Sequence, residues 1–290
     1  MAVNPAPREF SKQELADDLR RIGIKAGDKL MVHSSLKSLG RVQGGPQAVV
    51  RALQEVLTPD GTLMMPSFNH GHPWEAGGEG FYDPLRTPTS NGAIPDAFWR
   101  TSGVRRSLDP THPVACWGKD ALQYTQFHHR TLTMGEQSPL GLLARDGGMA
   151  LMLGVGYKPN TYHHVVEMML AAPCLGRRTE AYPVHLADGR IVMGRTWGWR
   201  ERACPINDSI LYARFMTDRQ MTGPIGACQA ILFRLSDARE VISRVLEQGI
   251  DGLPPCSRCP IRPRKDPHTI ESDWDDARNC LKDDSVAWTY

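Results

Sequence analysis

Two short apolar runs separated by one amphipathic helix constrain this chain more than any other feature. Residues 29–34 (KLMVHS) read as a short buried strand, and residues 62–68 (TLMMPSF) as a second. Between them Gly44-Gly45-Pro46 opens a helix, with Pro46 suited to its first position. Val49, Val50, Leu53, Val56 and Leu57 then fall on one face. Thr58-Pro59-Asp60-Gly61 is a turn back toward the second strand. A strand, a loop, a helix and a strand in that order form a βαβ unit, which calls for a parallel or mixed sheet.

The rest of the chain continues this alternation. Ser11 and Glu14 make a capping box for a first helix, Phe10 and Leu15 stand where a hydrophobic staple sits, and Gly23 is placed to end the helix. Ser138-Pro139 starts another short helix. Residues 149–156 (MALMLGVG) are the most strand-like run, followed by a turn at 157–160 and a helix over 161–172. A late strand over 227–235 and a late helix over 237–248 follow. Residues 69–91 lack any apolar period, and a loop that long in a compact domain is usually functional or disordered. The nearby aromatics Phe68, Trp74, Phe81 and Tyr82 suit a binding loop. No internal repeat appears. The reading is one domain over 10–248 and a Cys- and Pro-rich C-terminal extension over 249–290.

Composition narrows the function classes. The 290 residues are 41% hydrophobic and 23% charged, which is globular rather than disordered. A net charge of +2 with no Lys/Arg run argues against a nucleic-acid partner. No apolar run is long enough to span a bilayer, and residues 1–10 have no secretory apolar core, so a cytoplasmic protein is expected. Its seven cysteines then read as reduced thiols.

Three constellations can carry chemistry. In the first, Gly154-Val155-Gly156 ends a buried strand and Asn160 to Glu167 (NTYHHVVE) opens a helix, the place where sites collect in open α/β sheets. Val165, Met168, Met169 and Ala172 form the buried stripe of that helix. His164 and Glu167 are three apart and so are neighbours on the helix surface. A carboxylate beside an imidazole orients the ring and stabilises its protonated form, as a general base acting on an amine requires. The same spacing also fits an exposed surface pair.

The second constellation is His33-Ser34-Ser35-Leu36, with Lys37 and Arg41 adding charge before Val42-Gln43-Gly44-Gly45. Backbone N–H groups at such a strand–helix junction can hold phosphate, although an ordinary connection explains the pattern equally well. The third is Arg105 to Pro113 (RRSLDPTHP), whose His112 sits in a stiff extended loop; chemistry alone favours a structural role for it. Cys256 and Cys259 form a lone CxxC. His268 and Cys280 could complete a zinc set, but no second paired motif supports it, so no metal site is expected. GxSxG, HExxH, Walker, GxGxxG and kinase signatures do not occur.

Taken together, six ordered blocks resemble the aminoglycoside 3-N-acetyltransferase family. They are VHSSLKSLGRVQGGPQAVVRAL from Val32, DGTLMMPSF from Asp60, YDPLRTPTSNGAIPDAFWR from Tyr82, RSLDPTHPVACWG from Arg106, SPLGLLARDGGMALMLGVG from Ser138 and NTYHHVVE from Asn160. The resemblance implies a three-layer α/β/α sandwich with a central mixed sheet. It implies acetyl-CoA as co-substrate and donor, and a small-molecule primary amine as acceptor. It implies His164 and Glu167 as the catalytic pair; by chemistry alone His112 could be a further acid or base, and Thr161 is the nearest candidate hydroxyl for the oxyanion. His33, Ser34, Ser35, Leu36, Lys37, Arg41 and Val42 match the loop that holds coenzyme A, and Ser67 and Phe68 line the same cleft. Transfer is expected to be direct, because Cys116 carries no sign of activation. Antibiotic resistance or biosynthesis is the implied setting, and a homodimer is one assembly left open. Two departures bear on the acceptor: Asp109 stands where the family often has histidine, and Pro113 where it often has serine. The acceptor reading is therefore an aminoglycoside acetylated at its 3-amino group, with a non-aminoglycoside amine such as an amino-phosphonate as the alternative.

Overall fold

The computed structural model describes residues 8–69, 82–170, 172, 177–178, 182–186, 188–194, 197–199 and 213–258. Seven strands form the central sheet: β1 (Lys29–Ser34), β2 (Thr62–Pro66), β3 (Arg105–Arg106), β4 (Val114–Gly118), β5 (Met149–Leu153), β6 (Gln220–Ile225) and β7 (Cys228–Arg234). Their spatial order is β6-β7-β5-β1-β2-β4-β3. The central trio β5, β1 and β2 is parallel, and both flanks are antiparallel, so the sheet is mixed.

Side-chain alternation divides the core into two. On β1, Leu30 and Val32 join Leu63, Met65, Leu151 and Leu153 on one face, against α1 (Lys12–Arg21), α2 (Gly45–Leu57) and α3 (Ala93–Trp99). Met31 joins Met64, Ala150, Met152 and Phe233 on the other. That face is covered by α4 (Ala121–Thr125), α5 (Pro139–Arg145), α6 (Tyr162–Met169) and α7 (Leu235–Gln248). The result is the expected α/β/α sandwich.

Local signals explain where elements begin and stop. The Ser11 hydroxyl accepts from the Glu14 amide at 3.2 Å, and the Glu14 carboxylate accepts from the Ser11 amide at 2.8 Å, which completes the capping box. Strand β2 is two residues shorter than the sequence suggests. The Phe68 amide leaves the ladder and donates to Asn91 Oδ1 at 2.6 Å. Helix α6 is shorter than 161–172, and the Ala172 amide turns back to the Glu167 carbonyl at 2.9 Å. Strand β6 gave no clear signal because its sequence is QMTGPI. It lies at the sheet edge, where Pro224 is tolerated. Gly154, directly after β5, has φ +72°, and a Cβ there would lie 2.6 Å from Ser38 Cβ. Only glycine admits the β1–α2 loop so close to the end of β5.

Tyr82, read from sequence as part of a binding loop, is fully buried and donates to the Ser107 carbonyl at 3.1 Å, so it packs rather than binds. Trp74 and Phe81 lie outside the described residues. At the start of the extension, Ile250 is buried in the core beneath α7, and Leu253 and Cys256 pack against it. Cys259, His268 and Cys280 lie outside the described residues. Among the described residues no helix is long and apolar enough to cross a membrane, and no group of His, Cys, Asp and Glu is arranged to hold a metal.

Candidate active site

Chain order and register bring the candidate residues to one edge. The chain leaves β1 for β2 on one side and returns as β5 on the other, so the β1/β5 boundary is a topological switch point. Open α/β sheets bind ligands beyond the carboxyl ends of their strands at such points. His33 lies one residue before the end of β1, Phe68 follows β2, and Thr161 and His164 follow β5. Because β4 runs antiparallel to β2 with Val114 opposite Pro66, His112 enters at the same edge.

Helix α6 holds the most specific geometry. Val165, Val166 and Met168 are buried against the sheet, and Met169 and Ala172 complete the apolar stripe. The Glu167 side chain is 0% exposed and that of His164 is 33% exposed. Glu167 Oε2 lies 2.7 Å from His164 Nδ1, and Oε1 lies 3.3 Å from His163 Nε2. Burial alone would raise the Glu167 pKa. The hydrogen bonds and charge of His163 and His164 overcome it and hold the carboxyl well below its usual range. An ionised carboxylate only accepts, so His164 Nδ1 carries a proton, and in the neutral ring the lone pair is then on Nε2. That is the tautomer a general base needs.

His33 points from β1 toward the same face. It is buried, and burial pushes its pKa down from 6.5 to about 4, so it is neutral at physiological pH. Its Nε2 lies 3.4 Å from the Thr161 hydroxyl, joining the end of β1 to the start of α6. The loop after β1 is tightly wound: the Ser38 hydroxyl donates to Ser35 Oγ at 3.0 Å, and the Ser35 amide donates to the Leu153 carbonyl at 3.0 Å. Leu36 and Val42 pack on the opposite core cluster. Lys37 and Arg41 are exposed. Gly44 and Gly45, both at positive φ, then open α2 at the same edge.

The other candidates divide. Phe68 packs in the α6-side core and meets the His112 ring edge-on, with centroids 4.9 Å apart. Ser67 is fully buried, its carbonyl accepting from Arg106 at 3.2 Å. Ser34 alternates away from His33 on β1. Cys116 is buried in the core and its thiol pKa is pushed up by burial, which disfavours a thiolate nucleophile there.

Sequence reasoning did not anticipate three features. His163 is a second partner of Glu167, and its i, i+4 spacing was available as a signal. Arg106 is buried between the rings of Tyr82 and Trp99 and donates to the carbonyls of Pro84, Thr87 and Ser67. The third is a buried polar cluster beneath His112. Asp109 is 1% exposed; its Oδ1 accepts from the Thr111 amide and hydroxyl and from the His112 amide, and its Oδ2 from the Thr133 hydroxyl. Burial would raise the Asp109 pKa, but the nearby His128 and His112 and the amide donors bring it below its usual value. No short-range sequence pattern signals a cluster that spans residues 107 to 133.

A family model described as aminoglycoside 3-N-acetyltransferase matches residues 31–247. A prophage-derived aminoglycoside N(3')-acetyltransferase-like protein, YokD of Bacillus subtilis, is 35% identical over 175 residues, covering 54% of this chain and 64% of that protein. Aminoglycoside N(3)-acetyltransferase IV of Salmonella sp is 31% identical over 250 residues, covering 83% of this chain and 87% of that enzyme. Among solved structures, the YokD crystal structure superposes with a TM-score of 0.73 at 27% identity, covering 83% of this chain and 95% of that one. The binary complex of AAC-IIIb with CoASH superposes with a TM-score of 0.73 at 25% identity, covering 86% of this chain and 100% of that one.

Proposed function

The chain belongs to the aminoglycoside 3-N-acetyltransferase family and is an acetyl-CoA-dependent N-acetyltransferase; from that premise we propose that His164, steadied by Glu167, is the general base for acetyl transfer to a 3-amino group of an aminoglycoside. The observation that carries this reading is the 2.7 Å contact from His164 Nδ1 to a fully buried carboxylate, on a side chain that is itself partly exposed.

In this mechanism the neutral acceptor amine attacks the thioester carbonyl of acetyl-CoA. His164 Nε2 takes the amine proton as the C–N bond forms. The imidazolium is stabilised by the Glu167 carboxylate at Nδ1. The Thr161 hydroxyl is our candidate donor to the oxyanion. Collapse of the tetrahedral intermediate breaks the C–S bond, and the thiolate takes the proton back from His164. Products are the amide and free coenzyme A, and His164 is returned neutral.

We assign the donor to the loop after β1. Lys37 and Arg41 are exposed cations that make no ion pair with any described residue, and the amides opening α2 face the same edge. Together they suit the phosphates of coenzyme A. Ser34, which alternates away from His33 on β1, and the fully buried Ser67 play no part in this assignment. Residues 10–248 act as the transferase domain, and the extension from 249 as an accessory.

One observation favours a different acceptor within the same chemistry. Asp109 replaces the histidine common in the family, directly beneath His112. An amino-phosphonate or another amine metabolite is the second reading. The test is free-thiol release from acetyl-CoA across a panel of aminoglycosides, amino-phosphonates and simple amines. Turnover with an aminoglycoside that exceeds the other classes supports the first reading. Turnover confined to another amine class transfers support to the second.

A further inference from the structure

The two oxygens of Glu167 face two different rings of its own helix. His164 Nδ1 lies 2.7 Å from Oε2, and His163 Nε2 lies 3.3 Å from Oε1. The spacings i, i+3 and i, i+4 allow this, because both positions neighbour residue 167 on the helix surface. The two rings are nearly perpendicular, with centroids 6.0 Å apart and an interplanar angle of 87°. They therefore approach the carboxylate in different planes.

The two rings differ in freedom. The His164 side chain is partly exposed, whereas that of His163 is 1% exposed. A ring enclosed in a close-packed interior holds one orientation. The backbone beneath both is also fixed: the His163 amide donates to the Asn160 carbonyl at 3.2 Å, and the His164 amide to the Thr161 carbonyl at 3.0 Å.

A glutamate carboxylate turns easily about its last bond, whose wells are broad and two-fold. The His163 contact at Oε1 resists that rotation, because it comes from a ring that is itself held. An ionised carboxylate repels a bare ring nitrogen, so His163 Nε2 carries a proton. The same N–H favours the charged form of the carboxyl, against a burial that favours the neutral one.

We propose that His163 is a positioning residue that acts through Oε1 of Glu167, holding the carboxylate ionised and in the plane that orients His164. Its effect on turnover rests on His164 being the base, as proposed above; the protonated Nε2 facing Glu167 does not. A residue that acts through Glu167 has its effect only while the carboxylate is there. A residue that merely fills space has the same effect with or without it.

The experiment is a double-mutant cycle on the full chain, with kcat and the KM of both substrates measured. His163→Leu keeps a similar volume and removes the donor. It should lower kcat about tenfold, less than the loss of the whole carboxylate, with the KM of acetyl-CoA unchanged. In the Glu167→Gln background the same change should lower kcat by less than about twofold. His163→Gln, whose amide donates from near the position of Nε2, should recover most of the loss. Equal losses in the two backgrounds overturn the proposal, as do equal losses in the Leu and Gln variants or a wild-type kcat in His163→Leu. A further measurement requires no variant to fold. In 15N-histidine spectra of the wild-type chain, assigned through the backbone, His163 should show a protonated Nε2, and a bare Nε2 overturns the proposal. Failure of the functional reading looks different: His163 Nε2 stays protonated, but no amine is acetylated or His164→Ala turns over normally.

Discussion

His33 offers the sharpest stability test of how the site is built. Its ring lies inside the protein one residue before the end of β1, and burial takes its pKa from 6.5 to about 4. Between those values the unfolded chain binds a proton at this position and the native chain does not. Stability therefore falls as pH drops through that window and is fully present above it. At about 1.4 kcal/mol per unit the loss attributable to His33 is roughly 3 kcal/mol at the acid end. His33→Gln keeps a polar side chain of similar size that does not titrate. The assay is urea unfolding of wild type and variant across pH 4 to 7.5, with the difference in ΔG plotted against pH so that other titrating groups cancel. The difference should shift by roughly 3 kcal/mol in favour of the variant as acid is added. A flat difference would show that His33 is not buried neutral, and would remove the base of the β1 wall from this account.

Other substitutions test separate parts. Glu167→Gln keeps shape but removes the charge that steadies His164, and kcat should fall by about 10²-fold in steady-state assays with the KM of acetyl-CoA unchanged. Replacing both Lys37 and Arg41 with Gln should raise the KM of acetyl-CoA several-fold and flatten its salt dependence while leaving kcat intact. Arg106→Met strips three carbonyls of their donor and should cost on the order of 3 kcal/mol in denaturant unfolding.

Much of this molecule was legible in its sequence because its signals are local. The run KLMVHS became β1 with the same bounds, and Ser11 with Glu14 formed the capping box. The i, i+3 spacing of His164 and Glu167 brought their side chains into contact. What the sequence hid depends on tertiary contact. Strand β6 carries Gly and Pro and exists because β7 pairs with it along an edge. Arg106 looks like a surface cation, yet it is buried because two aromatic rings and three carbonyls converge on it from distant segments. Ser67 and Phe68 are neighbours in sequence just past β2, yet Phe68 packs in the α6-side core while the carbonyl of the buried Ser67 accepts from Arg106. Asp109 looked only like a departure from a family pattern, and its donors on Thr111, His112 and Thr133 became visible only in three dimensions.

The central claim is that one imidazole on α6 moves the proton. It is tested most directly by His164→Ala, with kcat and the KM of each substrate measured against wild type and acetyl-CoA affinity measured separately by calorimetry. The expected result is a loss of 10² to 10⁴-fold in kcat, about the usual contribution of a general base, with acetyl-CoA affinity retained. Near-normal turnover in that variant would contradict the account and pass the role to His163 or His112.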